Sequence, residues 1–372
     1  MKILGLESSC DDTSVALVEA SEDGFDILSK KTASQIDIHK KYGGVVPEVA
    51  GRAHAEKILP LIEEVLLEGT NSKEQANNKF QKPDVIAVTS GPGLITGLLV
   101  GVEAAKALSY LWDVPLLGVN HIEGHIYSTL LEKKDPEFQI SNFKFPNVCL
   151  IVSGGHTELI LMRNHGKYEL IGKTRDDAAG EAFDKVAKLL GFDYPGGPKI
   201  SEYALEGNPR TINFPRPMIK DDNVDFSFAG LKTAALYWLR DHKLSAGKTS
   251  ENILQSGISG IQPADITIAD FCASFEQAIV DVLVTKTIRA AKKYNAKTVI
   301  LGGGVSANKK LRDTLADAAK SMNYELRTPN LQYAMDNAAM IAAASYHHAK
   351  KQEFISWKDI EADPNWKIYS GV

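Results

Sequence analysis

The residues of this chain best spaced for metal chemistry are the two histidines of His121-Ile122-Glu123-Gly124-His125. On a helix, an interval of four sets both imidazoles on one face about one turn apart, the geometry by which two histidines hold one ion. The plain alternative is a solvated or core-satisfied helix face. Zinc proteases share the interval, but their general-base glutamate directly follows the first histidine. Here Ile122 stands at that place and Glu123 comes one position later, rotated by about 100° around the helix, which disfavours peptide hydrolysis. Two imidazoles rarely fix a catalytic ion alone, so a third ligand is required. On spacing, Asp336, Asp184 and Asp11 all remain open to that role. Asp336 directly precedes an Ala-rich helical stretch, where an aspartate ordinarily caps the first-turn amides; its second oxygen leaves ligation compatible with capping.

Four turns could bring backbone amides to an anion. Residues 7–13 are small and polar, 153–157 are glycine-rich, and two further apolar runs enter Ser90-Gly91-Pro92-Gly93 and Gly302-Gly303-Gly304. Glycine lets the backbone approach a ligand without an intervening side chain, and amides at turns or helix starts point at anionic oxygen. One such turn is a plain connection. The ordered set of four points to a nucleotide.

The elements that must position these residues form one arrangement, used twice. Residues 2–6 and 14–19 read as two strands around the first turn, and residues 148–152 and 158–162 repeat that figure around the second. Each hairpin is followed, much later, by a buried strand running into glycines, at 84–89 and at 298–301. This is an internal duplication with almost no sequence identity between the halves. Helical periodicity falls at 46–68, 98–112, 182–190, 268–294 and 337–350, and a strand-like 115–119 precedes the histidine pair. Strands alternating with helices imply an α/β protein of two lobes around a nucleotide cleft, on the plan of actin, heat-shock 70 and the sugar kinases. The expected divisions are an N-terminal lobe at 1–115 with a helical insertion, a C-terminal lobe at 116–335, and a helix and tail at 336–372 returning to the first lobe. Polar stretches at 69–82 and 245–265 read as surface loops.

The chain has 372 residues, 44% of them hydrophobic, enough for a large core and two domains. A net charge of −5 excludes a sequence-independent nucleic-acid coat, so any nucleic-acid contact must be local or shared with a partner. Three cysteines without knuckle spacing, Cys10, Cys149 and Cys272, give neither a disulfide framework nor a zinc ribbon. No apolar run reaches the roughly 18 to 20 residues of a membrane span, and the first strand starts almost at Met1, so no membrane, signal peptide or transit peptide is expected. A cytoplasmic location is expected.

Several segments carry a specific resemblance. Leu4-Gly5-Leu6-Glu7-Ser8-Ser9-Cys10-Asp11-Asp12-Thr13, Ser90-Gly91-Pro92-Gly93-Leu94, His121-Ile122-Glu123-Gly124-His125 and Val152-Ser153-Gly154-Gly155-His156-Thr157 resemble the bacterial TsaD family. So do Ala182-Phe183-Asp184-Lys185, Tyr194-Pro195-Gly196-Gly197-Pro198, Gly302-Gly303-Gly304-Val305-Ser306-Ala307-Asn308 and Asp336-Asn337, in the same order, from the first strand to about His348. The resemblance implies transfer of a threonylcarbamoyl group from threonylcarbamoyl-AMP to N6 of adenosine 37 in tRNAs reading codons that begin with A. It implies His121, His125 and Asp336 as ligands of one divalent metal, iron or sometimes zinc. It implies Ile151, Val152, Ser153, Gly154, Gly155, Asp184, Gly197 and Asn308 around the nucleotide and substrate. Asp12, Ala338 and Gly51 stand where family members commonly have Glu, Gly, and Ala or Ser. For such a transfer, Asp11 and Asp12 are candidates for the general base, against a plain role in shaping the turn.

Three function classes are open: this transferase, a small-molecule kinase of the same superfamily, and a noncatalytic nucleotide-binding scaffold. The helices at 46–68 and from 98 carry apolar positions, and the resemblance implies that this lobe pairs with a noncatalytic paralogue, TsaB, and works with an ATPase, TsaE. Lys30, Lys31, His39, Lys40, Lys41 and Arg52 are the expected tRNA phosphate contacts, with the region of Arg216 and Lys232 next.

Overall fold

In the computed structural model, which describes residues 1–70, 80–131, 143–242 and 266–369, the apolar runs build two five-stranded sheets. The first contains Lys2–Glu7 (β1), Asp12–Ser21 (β2), Gly24–Ser34 (β3), Val85–Gly91 (β4) and Leu116–Asn120 (β5), ordered β3-β2-β1-β4-β5. The second contains Asn147–Val152 (β6), Thr157–Asn164 (β7), Lys167–Lys173 (β8), Thr298–Gly302 (β9) and Glu325–Arg327 (β10), ordered β8-β7-β6-β9-β10. Each sheet is an antiparallel three-strand meander continued by two parallel strands. The duplication extends past the hairpins to β3 and β8, edge strands whose mixed, half-exposed residues carry little periodic signal.

One expected boundary needs correction. The division after residue 115 separates β5 from its own sheet, because Ile86 pairs with Leu116 and Val88 with Gly118 in parallel register. The first sheet therefore extends through Asn120, the residue directly before the histidine pair.

The helices are Ile36–His39 (α1), Pro47–Glu68 (α2), Ile95–Trp112 (α3), His121–Tyr127 (α4), Ala179–Leu189 (α5), Gly196–Ala204 (α6), Ala229–His242 (α7), Ile268–Lys293 (α8), Lys309–Ser321 (α9) and Ala338–Lys350 (α10). Successive strand residues point to opposite faces, so each sheet feeds two cores. Leu4 and Leu6 pack with Ile58 and Ile62 of α2 and Val102 of α3, while Ile3 faces the other way. Val148, Leu150 and Val152 join α5, α7 and α8, while Cys149 and Ile151 face the other way. Both second faces meet in one central core, which also takes in Ile122 and Ile126 of α4 and most of α10. Helix α10 is buried nearly all round because Ala338, Ala339, Ala342, Ala343 and Ala344 let it lie close to its neighbours. A Cβ at Gly5 would come within 2.3 Å of the Ala338 carbonyl oxygen, so glycine there is the condition for that close approach. A Cβ at Gly51 would lie 2.9 Å from that of Thr96, which accounts for glycine at this departure from the family pattern.

Helix α3 does have the length and apolarity of a membrane span, at 18 residues and a mean hydropathy of 1.2, contrary to the expectation from sequence. In this fold its Gly97, Leu98, Gly101, Val102 and Ala105 are buried in the first lobe. The loop expected at 245–265 lies outside the described residues, as does most of the one at 69–82.

Candidate metal centre and nucleotide cleft

Strand β5 runs directly into α4, and Asn120 at the junction accepts from the Ile122 amide at 3.0 Å while donating to the Trp366 carbonyl at 3.2 Å. The C-terminal tail thus braces the start of the histidine helix. His121 and His125 are buried, with ring centroids 4.6 Å apart. Asp336 Oδ1 lies 3.5 Å from His121 Nε2 and 3.2 Å from His125 Nε2. Two ligand atoms each about 2.1 Å from one ion are separated by roughly 3 to 3.5 Å, so this spacing fits a shared cation. Both nitrogens of His125 are buried without a hydrogen-bond partner among the described residues, a cost that coordination at Nε2 relieves.

Asp336 does not cap α10. Asn337 does, accepting from Met340 N at 3.1 Å, and Ser14 of β2 accepts from Ala338 N at 3.0 Å. With the helix start satisfied by others, the Asp336 carboxylate is left for the histidines. Burial opposes its ionisation, but His121 and His125 hold it well below the usual carboxylate range. Burial likewise opposes the His121 imidazolium, yet Asp336 and Glu7 raise that group to about 9. Two carboxylates facing two imidazoles make a donor set suited to positive charge. Glu123 faces elsewhere, accepting from Tyr168 Oη at 2.7 Å and lying 3.0 Å from His348 Nε2, so it has no part in a protease-like site.

His121 and Asp336 line a cleft of about 1330 Å³ together with Asp11, Asp12, Ser153, Gly154, Gly155, Asp184, Gly197 and Asn308, while His125 is fully buried beside them. This exceeds the roughly 300–1,000 Å³ of a small-molecule pocket, leaving room for a second reactant beside a nucleotide. A Cβ at Gly154 or Gly155 would meet nothing within 4 Å, so both turn residues offer bare backbone to the cleft. Ile151 and Val152 do not line it: they are fully buried on opposite faces of β6, in the central and second-lobe cores. Asp184 and Asn308 brace the wall. Asp184 Oδ1 accepts from Gly196 N at 2.8 Å and Gly197 N at 3.2 Å. Asn308 caps α9 through Leu311 N at 2.8 Å and donates to Glu276 Oε1 at 2.7 Å and Ser201 Oγ at 2.9 Å. Glu7, Tyr194 and Glu276 carry no spacing signal in the sequence, since each reaches its partner from a distant element.

In the first turn, Tyr194 Oη donates to Asp11 Oδ2 at 3.3 Å. Burial, then the nearby Asp336 charge, raises the Asp12 carboxyl to about 7, and its Oδ1 is buried without a hydrogen-bond partner among the described residues. A carboxyl whose pKa rises on folding stabilises the native state only while protonated. That contribution is complete below about pH 4 and is lost as pH rises through about 7. Asp12→Asn, which imitates the protonated form, is expected to melt with the wild type near pH 4 and at a higher temperature at pH 8. Equal melting temperatures at pH 8 would contradict this strain.

The basic cluster of the early segment is largely engaged within the protein. Lys31 pairs with Glu64 and Glu68, Arg52 with Glu48, and Lys40 with Asp193 at 3.0 Å. His39 is buried against Gln35, and Lys30 lies over the Tyr333 ring. Arg216 and Lys232 pair with Asp281 and Asp177. Unlike a bare cationic face, most of these side chains must exchange an internal partner before meeting a phosphate.

Residues 26–343 match the family model of tRNA N6-adenosine threonylcarbamoyltransferase, TsaD. The chain belongs to this family. A relative of that name from Bacillus thuringiensis (strain Al Hakam) is 49% identical over 353 residues, covering 94% of this chain and 92% of the relative. One from Halalkalibacterium halodurans is 44% identical over 366 residues, covering 98% and 96%. The crystal structure of T. kodakarensis HypF matches with a TM-score of 0.56 at 13% identity, over 96% of this chain and 49% of that one, a likeness of fold alone. Together with the paired sheets, it places the chain among two-lobed α/β proteins of the actin, heat-shock 70 and sugar-kinase plan.

Proposed function

We propose that this chain transfers the threonylcarbamoyl group from threonylcarbamoyl-AMP to N6 of adenosine 37 in tRNAs reading codons that begin with A, in the cytoplasm. The observation that carries this reading is the cleft shared by two glycine-bearing turns and the His121, His125 and Asp336 cluster, in a chain of this family. A kinase or scaffold role has no comparable support.

The donor is a mixed anhydride, so AMP is a good leaving group and the weak partner is the exocyclic amine. N6 attacks the carbamoyl carbon, the new N–C bond forms, and the C–O bond to phosphate breaks with its electron pair leaving on AMP. The N6 proton passes to a carboxylate of the first turn, Asp12 or Asp11. Positioning then decides the rate. The amides of Gly154 and Gly155 face the phosphate, the Ser153 amide being held by the His156 carbonyl at 2.8 Å, and the wall held by Asp184, Gly197 and Asn308 faces the nucleoside. His121, His125 and Asp336 would hold one divalent cation, iron with zinc as second choice, which when bound would supply Lewis acidity to the transfer.

The net charge of −5 argues for a tRNA surface shared with partners, a TsaB-type paralogue on the α2 and α3 lobe and a TsaE-type ATPase. Incubation with prepared threonylcarbamoyl-AMP and unmodified tRNA is expected to give one AMP per modified adenosine. Multiple turnover should be slow for the chain alone and rise when both partners are added. Fast multiple turnover by the isolated chain would overturn the partner dependence. ATP consumption on a sugar or carboxylic acid, without tRNA modification, would overturn the transferase reading.

A further inference from the structure

Glu7 ends β1 and is fully buried, which a carboxylate tolerates only when its oxygens are paired. Three groups converge on it. Ser9 N donates to Oε1 at 2.6 Å, Thr89 Oγ1 at the end of β4 donates to Oε2 at 2.7 Å, and His121 Nδ1 lies 3.0 Å from the same Oε2. Ser9 Oγ is also 3.1 Å from His121 Nδ1. An ionised carboxylate only accepts hydrogen bonds, so the neutral His121 ring that ligation requires must keep its proton on Nδ1. That leaves the Nε2 lone pair on the side of Asp336 and His125, where a cation would be held.

We infer that Glu7 is a positioning residue for the metal site, fixing the tautomer and orientation of His121 from behind. The inference rests on the metal reading of His121, His125 and Asp336. Its physical basis is general: the hydrogen bond made by one ring nitrogen decides what the other can do. Glu7 reaches His121 across 114 residues of sequence, which ties the first strand of the fold to the metal helix. Replacement by Gln separates charge and tautomer control from packing. The Gln amide oxygen must stay with the Ser9 N–H, which turns its NH₂ toward His121 Nδ1. His121 then has to accept at Nδ1 and carry its proton on Nε2, the atom needed for the ion.

The test is a Co²⁺ titration of the full chain followed by visible absorption, with thermal melts of every variant. His121→Ala is expected to lose the Co²⁺ spectrum. Glu7→Gln is expected to remain folded and bind Co²⁺ about 10- to 100-fold more weakly than wild type. Wild-type affinity in Glu7→Gln alongside loss in His121→Ala would overturn the inference about Glu7 and leave the metal reading standing. Wild-type binding in His121→Ala would remove both. Nitrogen-15 NMR of the zinc-loaded wild-type protein supplies a measurement independent of variant folding: the His121 proton is expected on Nδ1, and metal ligation through Nδ1 would contradict the assignment.

Discussion

Asp336→Ala is expected to abolish transfer while leaving a folded protein. Metal content should fall to background, and single-turnover transfer to tRNA should drop by well over the roughly 10- to 100-fold that outer partners command. Asp336 Oδ1 is the atom that both imidazoles share, at 3.5 and 3.2 Å, and helix α10 does not depend on it because Asn337 and Ser14 satisfy the first turn. Asp336→Asn keeps the shape and removes the charge, so it should also lose metal with little change in melting temperature. Metal analysis with a melt separates this outcome from unfolding; stoichiometric metal in Asp336→Ala would contradict the assignment.

Gly5→Ala tests how the fold delivers that carboxylate. The added Cβ would stand 2.3 Å from the Ala338 carbonyl oxygen and 3.2 Å from the Ala342 Cβ, both on the helix that follows Asp336. Backbone cannot rotate out of the way as a flexible side chain can, so α10 must shift or the core must open. A destabilisation of about 1–3 kcal/mol is expected from such overpacking, together with weaker metal binding. Urea denaturation and a Co²⁺ titration measure the two effects. Unchanged stability with unchanged affinity would show that β1 and α10 have slack the packing does not suggest.

Much of this was legible in the sequence, for physical reasons. The paired hairpins alternate with period two, and the long helices carry unbroken helical runs, so both halves of the duplication were readable. Strands β3 and β8 were not, because an edge strand exposed on one side has no apolar stripe to announce it. The histidine pair could be read because its geometry is internal to one helical turn. The third ligand could not be chosen on spacing, since Asp336 meets His121 only through the packing of α10 against α4; the family resemblance singled it out. Its expected capping role passed to the next residue, Asn337. Ile151 and Val152 belong to the run leading into the glycine turn, but alternation buries both ahead of the residues that reach the cleft. Asp184 and Asn308 line the cleft while their side chains hold backbone and neighbouring residues, a division of labour that motif matching does not reveal. The basic cluster looked free in one dimension because its acidic partners, Glu64, Glu68 and Asp193, lie elsewhere in the chain.

The reaction proposed for this cleft is metal-assisted transfer to the adenosine amine of tRNA. The most direct measurement is single-turnover transfer from isotopically labelled threonylcarbamoyl-AMP to unmodified tRNA, read by mass spectrometry of the digested nucleosides. It is run on chelator-treated protein and on the same protein after Fe²⁺ is restored. The expected result is labelled threonylcarbamoyl on N6 of adenosine 37, nearly absent after chelation, recovered with the metal, and not recovered in His125→Ala. Label appearing at an equal rate in chelated protein and in His125→Ala would contradict the account.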